Sequence, residues 1–258
     1  MKIRSDVELA NLTDVGCERS ENEDYYCYVE PEEEEQFLRR GRLAVVADGM
    51  GGHSGGQIAS GLAVDALRDA FLDENAPSDP QSVLVEGFTR AQHAILGASH
   101  DRPDLNGMGT TCTAVIVRDG ELSYGHIGDS RLYLLRDGWL TQVTEDHTLV
   151  NHLVKSGAIT PAQAYHHEKR NVLTAALGMR SEEVAADFSN EPVRLQDSDA
   201  IVLSSDGLHG LITSEELRAT VQTQSAYAAC RTLVNLARQR GGPDNITVQI
   251  LRIRQEPQ

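Results

Sequence analysis

The chain has 258 residues, of which 40% are hydrophobic and 24% charged, a composition typical of folded globular proteins rather than disordered or fibrous ones. Its 39 acidic residues outnumber its 23 basic residues, and the formal charge of −16 argues against binding to nucleic acid or to a membrane surface. No apolar stretch is long enough to span a bilayer, no secretion signal is visible, and the four cysteines are scattered, so we expect a cytoplasmic protein with reduced thiols.

The first third of the chain is predicted to form strands. Residues 7–13 alternate between apolar and polar side chains, and residues 25–29 are mostly aromatic and apolar. The acidic run at 30–35 surrounds a proline and is predicted to be a solvated hairpin loop. The apolar run at 43–47 predicts a buried strand.

Two helices are predicted next. A glycine-rich turn at 49–56 precedes apolar residues at helical spacing up to position 71. Asp79 followed by Pro80 is typical of a helix start, and that helix is predicted to reach about residue 98. Strands then return, with Asp-Gly hairpin turns between some of them; they are predicted at 110–117, 121–127, 131–135 and 139–143.

The segment from His147 to about Leu177 is polar, helical in pattern and rich in histidine, and it interrupts the strand series. We therefore predict an inserted flap there. Its histidines suggest zinc, but the adjacent His166 and His167 would project in different directions and no cysteine joins them. We interpret these histidines as solvated polar residues.

Strands at 185–188 and 200–204, helices at 214–222 and 227–240, and a last strand at 246–251 complete the pattern. Strands and helix pairs in this order do not alternate as a parallel βαβ fold does. The order predicts an α+β fold of antiparallel sheets with helices packed outside. No linker or repeat divides the chain, so we predict one domain over residues 1–258.

Four aspartates, Asp48, Asp129, Asp206 and Asp244, lie near glycines at the ends of predicted strands. Carboxylates in these places are held at the rim of a core, and several at one rim would repel each other without cations between them. Oxygen ligands favour Mg²⁺, Mn²⁺ or Ca²⁺ over zinc. Gly49 has no side chain, so its carbonyl oxygen could also reach a metal. A single Asp-Gly pair would indicate only a turn, but four such places predict a metal site.

Carboxylates that are distant in sequence but converge in space form two-metal hydrolytic sites, where a water shared by the ions ionises near neutral pH. Arg19 adds a guanidinium that could bind a phosphate with two hydrogen bonds. Taken alone, Arg19 would be interpreted as a surface cation in a polar turn.

Together these residues resemble the ordered motifs of the metal-dependent protein phosphatases, the PPM or protein phosphatase 2C family, in its compact bacterial form. The resemblance extends from about residue 7 to 253. It rests on these motifs: Arg19-x-x-Asn22-Glu23-Asp24, Asp48-Gly49-Met50-Gly51-Gly52-His53, Gly109-Thr110-Thr111, Gly128-Asp129-Ser130-Arg131, Asp146-His147, Ser205-Asp206-Gly207 and Asp244-Asn245-Ile246-Thr247.

The resemblance implies a central β-sandwich of two antiparallel sheets flanked by helix pairs, in four αββα layers, with a small flap subdomain at about 147–177. It also implies two core Mn²⁺ or Mg²⁺ ions and a third, weaker one. Their ligands would be Asp48, the Gly49 carbonyl, Asp206 and Asp244 for the core pair, Asp129 with Asp206 for the third ion, and Asp24 in the outer shell. Arg19 would bind the substrate phosphate.

One position departs from the family pattern. Animal members carry a histidine directly after the Asp-Gly pair, proposed as the general acid for the leaving oxygen, where this chain has Met50. His53, three residues later, is a candidate for that role. The alternatives are that His53 only packs at the helix start and that a metal-bound water supplies the proton.

The function implied by the resemblance is hydrolysis of phosphoserine and phosphothreonine in proteins, by in-line attack of a metal-bridged hydroxide without a phospho-enzyme. It implies phosphorylated protein substrates and a partner Ser/Thr kinase in signalling, and a monomer is the default expectation. Two alternatives stay open. One is a pseudophosphatase that only binds phosphorylated partners. The other is a hydrolase of different phosphoesters, either small phosphometabolites or a phosphorylated anti-sigma antagonist.

Overall fold

A computed structural model describes residues 3–51, 55–179 and 184–254. Its strands are β1 (Val7–Asp14), β2 (Asp24–Val29), β3 (Arg42–Met50), β4 (Gly109–Thr110), β5 (Cys112–Arg118), β6 (Glu121–Ile127), β7 (Arg131–Arg136), β8 (Trp139–Gln142), β9 (Asp187–Phe188), β10 (Val193–Arg194), β11 (Ala200–Ser204) and β12 (Ile246–Ile253). Its helices are α1 (Glu34–Arg40), α2 (Gly55–Leu72), α3 (Pro80–Asp101), α4 (Leu149–Lys155), α5 (Pro161–Tyr165), α6 (Asp206–His209), α7 (Ser214–Thr223) and α8 (Ala226–Gln239), with a short 3-10 turn at Pro103–Leu105.

The strands form two antiparallel sheets that face each other. The first sheet has the order β1-β12-β11-β7-β8, and the second has the order β10-β6-β5-β3-β2, with β4 beside β3 and β9 beside β6. Apolar side chains from both sheets fill the space between them, including Val46, Val115, Ile201 and Leu203. In a two-sheet sandwich the side chains on the inner faces of both sheets form the core, as these residues do.

The helix pairs cover the outer faces of the sandwich. Helices α2 and α3 pack on the second sheet through side chains such as Phe71 and Phe88, while α7 and α8 pack on the first sheet through Leu217 and Leu233. The predicted four-layer α+β fold is confirmed. No helix in the described ranges combines the length and the apolar character needed to cross a membrane.

The start of α3 agrees with its sequence signal. The Asp79 carboxylate Oδ2 accepts a hydrogen bond of 2.8 Å from the Ser82 amide, and Pro80 occupies the first turn. This cap satisfies one of the amides that a helix start leaves without a partner.

The acidic run at 30–35 differs from the predicted solvated loop. Glu30 is buried and binds Arg4 through Nη1 at 3.0 Å, and helix α1 begins at Glu34. Arg42 also approaches the Glu30 carboxylate, with Nε at 3.4 Å from Oε2. The prediction was wrong because both cations come from distant parts of the sequence, which a local charge pattern does not reveal.

The segment 147–177 leaves the sandwich between β8 and β9 and contains only the short helices α4 and α5. Helix α5 begins with a capping box in which Thr160 and Gln163 exchange side-chain and backbone hydrogen bonds. The rest of the segment is irregular, so the predicted helical content was too high. The segment returns to the sandwich at Leu177, which exchanges two backbone hydrogen bonds of 3.0 and 2.9 Å with Thr110.

Candidate metal centre

Asp24 and Asp48 lie directly opposite each other on the neighbouring strands β2 and β3. Residues paired in this way carry their side chains on the same face of the sheet, about 5 Å apart at Cβ, and like charges there destabilise the pair. Asp24 is buried and Asp48 is half-buried, so water screens neither charge fully. The strand register alone therefore brings two predicted site residues together.

Thr110, at the end of β4, and the following Thr111 hold the backbone of Asp48 in place. The Asp48 amide donates to Thr111 Oγ1 at 3.0 Å, and the Asp48 carbonyl accepts from the Thr111 amide and from Thr110 Oγ1, both at 2.9 Å. Three hydrogen bonds to one residue fix its backbone, so the Asp48 carboxylate extends from a rigid support.

The first sheet contributes Asp206 and the residue before it. Ser205 Oγ donates to Asp24 Oδ2 at 2.7 Å across the sandwich and accepts from the Thr247 amide at 3.0 Å. Asp206 directly follows Ser205 and begins helix α6. The end of β11 therefore lies against the ends of β2 and β3, and Asp206 comes close to Asp48.

Asp129 lies in the three-residue connection that crosses from β6 in the second sheet to β7 in the first. Burial, together with the charges of Asp206 and Asp146, raises the pKa of its carboxyl to about 8. The opposing charge of Arg131 is largely used by Asp146, which receives hydrogen bonds of 2.8 and 2.6 Å from that guanidinium. We call residues 128–131 the Asp129 loop.

Asp244 and Arg19 form the mouth of the site. Arg19 Nη2 donates to Asp244 Oδ2 at 2.8 Å, and half of the Arg19 side chain is exposed to solvent. The charge of Asp244 raises the pKa of the guanidinium, so Arg19 is a permanent cation at this place. The buried Asn245 organises the same loop, since its side chain accepts from the Glu23 amide at 2.7 Å and donates to two backbone carbonyls.

Gly49 lies where any side chain would collide with its neighbours. A Cβ atom built there would be 2.1 Å from the Gly56 carbonyl oxygen and 2.7 Å from that of Glu23. The Gly49 amide donates to the Glu23 carbonyl at 3.1 Å. The strand therefore approaches the start of α2 closely, and the use of the Gly49 carbonyl as a ligand stays a prediction.

The carboxylates at this end of the sandwich resist ionisation. Burial, and after it the charges of Asp206 and Asp244, raise the pKa of Asp24 to about 7, although hydrogen bonds with Thr247 and Ser205 act in the opposite direction. Asp48 has a pKa well above the ordinary value for the same reason, burial first and then the surrounding carboxylates. Burial also raises the pKa of Asp206, and the charge of Asp244 acts in the same direction. The raised pKa values of these carboxyl groups follow from burial and from neighbours of the same charge.

Two buried carboxylate oxygens without hydrogen-bond partners indicate whether these residues could bind a metal. Asp24 Oδ1 and Asp206 Oδ1 are both buried without a hydrogen-bond partner. Buried polar atoms of this kind are rare and point to an ion or a water as their partner. Among the residues that the structure describes, no three His, Cys, Asp or Glu side chains already stand in an arrangement that could hold a metal ion. The oxygen donors and their charge fit Mg²⁺ or Mn²⁺, which would draw these mutually repelling carboxylates together.

Sequence reasoning assigned no role to several residues that build the site. Ser205 binds the Asp24 carboxylate, Asn245 binds the Glu23 amide, and Thr111 binds the Asp48 amide. Each of the three stands directly beside an aspartate or within a quoted motif. Their position in those motifs was the available signal. His53 lies outside the described residues, so its role as general acid stays a prediction.

Comparison with known proteins agrees with this architecture. The family model for protein phosphatase 2C matches residues 33–241. The chain is 39% identical over 242 residues to the serine/threonine protein phosphatase PstP of Mycobacterium tuberculosis, covering 93% of this chain and 44% of that protein. It is 37% identical over 256 residues to the protein phosphatase PhpP of Streptococcus pneumoniae, covering 97% of this chain and 99% of that protein.

Solved structures give the same result. The catalytic domain of the serine/threonine protein phosphatase PstP, crystallised in complex with two manganese ions, superposes with a TM-score of 0.83 at 34% identity. The superposition covers 96% of this chain and 99% of that one. The chain thus spans less than half of the full mycobacterial PstP but nearly all of its crystallised catalytic domain. By family model, sequence and structure, the chain belongs to the protein phosphatase 2C family.

Proposed function

We propose that the chain is a metal-dependent protein serine/threonine phosphatase. The observation that carries this proposal is the set of carboxylates gathered at one end of the sandwich, two of which have a buried oxygen without a hydrogen-bond partner. An arginine lies at the mouth of the same site. Cations fit the first feature and a phosphate fits the second, and a phosphoester hydrolase needs both.

The residues divide into those that would hold metal and those that would hold substrate. The proposed core ligands are Asp48, the Gly49 carbonyl, Asp206 and Asp244, with Asp129 and Asp206 for a third ion and Asp24 acting from the outer shell. Bound ions supply Lewis acidity that makes water nucleophilic near neutral pH. Ser205 fixes Asp24 through its 2.7 Å hydrogen bond.

Arg19 would position the phosphate. Its guanidinium is fixed by Asp244 on one side and open to solvent on the other, so it can donate to a phosphate oxygen at the mouth of the site. A guanidinium donates two parallel hydrogen bonds to such a group, which orients it as well as binding it. That orientation would bring the phosphorus atom in front of the carboxylates of the proposed metal site.

Manganese or magnesium is the proposed cofactor. The PstP catalytic domain was crystallised with two manganese ions, and its 34% identity covers nearly this whole chain. Both metals accept the oxygen ligands that Asp48, Asp206 and Asp244 offer. Residues 1–258 would form one catalytic domain, with 147–177 as the flap beside the site.

The proposal extends to the surroundings of the protein. The relatives PstP and PhpP are named as protein phosphatases, which supports phosphorylated proteins as substrates and a Ser/Thr kinase as the opposing enzyme. All four cysteines are free, which fits a reducing compartment such as the cytoplasm. A monomer is proposed, and sedimentation at micromolar concentration would test it.

The experiment that tests the activity uses protein stripped of metal with EDTA. Hydrolysis of a phosphothreonine peptide and of p-nitrophenyl phosphate is measured after single additions of Mn²⁺, Mg²⁺, Ca²⁺ or Zn²⁺. The proposal predicts turnover of the peptide with Mn²⁺ or Mg²⁺. Folded protein that binds Mn²⁺ but hydrolyses neither substrate would favour a pseudophosphatase, and turnover of the small ester alone would favour a different phosphoesterase.

A further inference from the structure

His147 holds the Asp129 loop from the base of the flap. The His147 amide donates to the Gly128 carbonyl at 2.7 Å, and the Gly128 amide approaches His147 Nδ1 at 3.2 Å. The backbone and the side chain of His147 therefore bind both the carbonyl and the amide of Gly128. The histidine is thus engaged rather than solvated, in contrast to the sequence-based interpretation, and its side chain is only 16% exposed.

The hydrogen bonds define the tautomer of His147. Because Nδ1 accepts from the Gly128 amide, the proton lies on Nε2, which is 3.1 Å from Asp187 Oδ2. A carboxylate that accepts from one ring nitrogen keeps the proton on that nitrogen, so the other nitrogen stays an acceptor. Asp187 therefore supports the acceptor role of Nδ1 and also restricts rotation of the ring.

The two hydrogen bonds with His147 matter because Gly128 has a flexible backbone. Its φ of +102° lies in the region that favours glycine, and a Cβ there would be 2.6 Å from Thr111 Cβ. Glycine is the most flexible residue, so without outside bonds its peptide could rotate freely. Asp129 follows immediately, and the orientation of the Gly128 peptide sets the direction of the Asp129 carboxylate.

The same residue ties the flap to the site. The Thr174 amide donates to the His147 carbonyl at 2.8 Å, and the Leu149 amide donates to the Val172 carbonyl at 2.9 Å, so the two ends of the flap are joined at its base. Farther along, Leu177 pairs with Thr110, which binds the Asp48 carbonyl. A displacement of the flap would therefore reach Gly128 through His147.

We propose that His147 is a positioning residue that orients Asp129 for the weakest metal and couples it to the flap. This inference rests on the proposed metal role of Asp129. The Nδ1 hydrogen bond is the specific element: an acceptor at that atom is needed, whereas bulk and aromatic character are not.

Two substitutions separate the functions of the ring nitrogens. His147→Asn places an amide oxygen near the position of Nδ1, where it accepts from Gly128. His147→Gln places its amide near Nε2, where it can donate to Asp187 but leaves the Gly128 amide without an acceptor. Asp187→Ala is the control that removes only the support of the ring.

The measurement is Mn²⁺ binding to the full chain by titration calorimetry, with the Mn²⁺ dependence of peptide hydrolysis beside it. His147→Gln is expected to weaken the weakest Mn²⁺ step about tenfold, as residues that orient metal ligands typically do. The tighter steps should be unchanged, and His147→Asn should stay within about threefold of wild type, with Asp187→Ala between the two.

Three results would overturn the inference: equal Mn²⁺ affinities for His147→Asn and His147→Gln, equal weakening of all binding steps, or wild-type protein that shows no weaker step. Failure of the proposed function appears differently. Wild-type protein would then bind Mn²⁺ in the expected steps, and the variants would shift the weakest one, without hydrolysis of any phosphopeptide.

Discussion

The two ends of strands β2 and β3 surround their buried acidic side chains with opposite kinds of neighbour. At the end far from the proposed metal site, the buried Glu30 carboxylate accepts from Tyr28 Oη at 2.5 Å and from Arg4 Nη1 at 3.0 Å. The buried Arg42 lies beside it. At the other end, the paired Asp24 and Asp48 face further carboxylates.

The pKa values follow this difference. Burial by itself raises the pKa of Glu30, but the hydrogen bonds from Tyr28 and Arg4 and the charge of Arg42 outweigh it and leave the pKa below its ordinary value. The pKa values of Asp24 and Asp48 are raised by burial first, and the neighbouring carboxylates, which carry the same sign, act in the same direction. One end has its opposing charges within the fold, whereas the other, on the proposed function, would take cations from solution. A buried charge therefore indicates function where the chain itself does not supply its partner.

The largest expected effect is on activity at the carboxylate end. Asp206→Asn should reduce turnover roughly 10³-fold, about 4 kcal/mol of barrier, because it removes a charged oxygen ligand. Steady-state hydrolysis of a phosphothreonine peptide at saturating Mn²⁺ measures this. Near-normal turnover would remove Asp206 from the ligand set.

A matched control is available for that substitution. Asp199 is a buried aspartate that accepts hydrogen bonds of 3.0 and 2.6 Å from Arg136, far from the site. Asp199→Asn should lower the unfolding temperature and leave turnover per folded molecule unchanged. The two Asp→Asn substitutions thus separate a missing ligand from a missing ion pair.

The next effect is on stability at the Glu30 end. Glu30→Gln removes the charged acceptor of Arg4 Nη1 and of Tyr28, whereas the buried Arg42 keeps its ion pair with Asp6 at 2.8 Å. We therefore expect a loss of about 2–3 kcal/mol in the free energy of unfolding. Urea unfolding followed by circular dichroism measures it, and turnover of the folded fraction should not change. A loss below 1 kcal/mol would mean that water enters this end.

The same variant gives a pH-dependent test. Because the pKa of Glu30 is lower in the folded state, its contribution is fully present above the unfolded value of about 4.5 and is lost as the pH falls through the folded value. The stability difference between wild type and Glu30→Gln should therefore be constant from pH 7 to 5 and shrink below about pH 4. A difference independent of pH down to 3 would contradict the ionised state of Glu30.

The smallest expected effect concerns Arg19. Arg19→Ala should raise KM for the phosphopeptide about tenfold, equivalent to about 1.4 kcal/mol, with a smaller change in kcat, because a phosphate contact is lost. Arg19→Lys keeps the charge but loses the two-pronged geometry, so it should lie between wild type and Ala. A large loss of kcat at unchanged KM would instead place Arg19 in the stabilisation of the transition state.

Local patterns in the sequence predicted much of the fold. Helix α3 follows from Asp79 and Pro80, and the apolar run before Asp48 marks a strand that ends at the site. Contacts between distant segments were not predictable in this way. Glu30 is buried by Arg4 and Arg42, and Asp24 is bound by a serine 181 positions away, so no local window contains either partner.

In the candidate site, too, local patterns were predictable and contacts between distant segments were not. Four of the aspartates were visible because they lie near glycines at the ends of predicted strands. The hydrogen bonds between His147 and Gly128, in contrast, join segments 19 residues apart. The irregular path of 147–177 also escaped prediction, since its polar composition resembles that of an exposed helix and its geometry is fixed by backbone bonds to the sandwich.

Thermal unfolding of wild type and Asp48→Asn, in EDTA and with excess Mn²⁺, shows whether the carboxylates at this end of the sandwich form a metal site. If the carboxylates await cations, Asp48→Asn should unfold at a higher temperature than wild type in EDTA, because one repelling charge is gone. Mn²⁺ at 100 times its dissociation constant should stabilise wild type by about 3 kcal/mol, roughly 5–10 °C, and the variant much less. If Asp48→Asn is instead less stable in EDTA and Mn²⁺ shifts both proteins equally, the carboxylate end is a structural network like that at Glu30 and not a metal site.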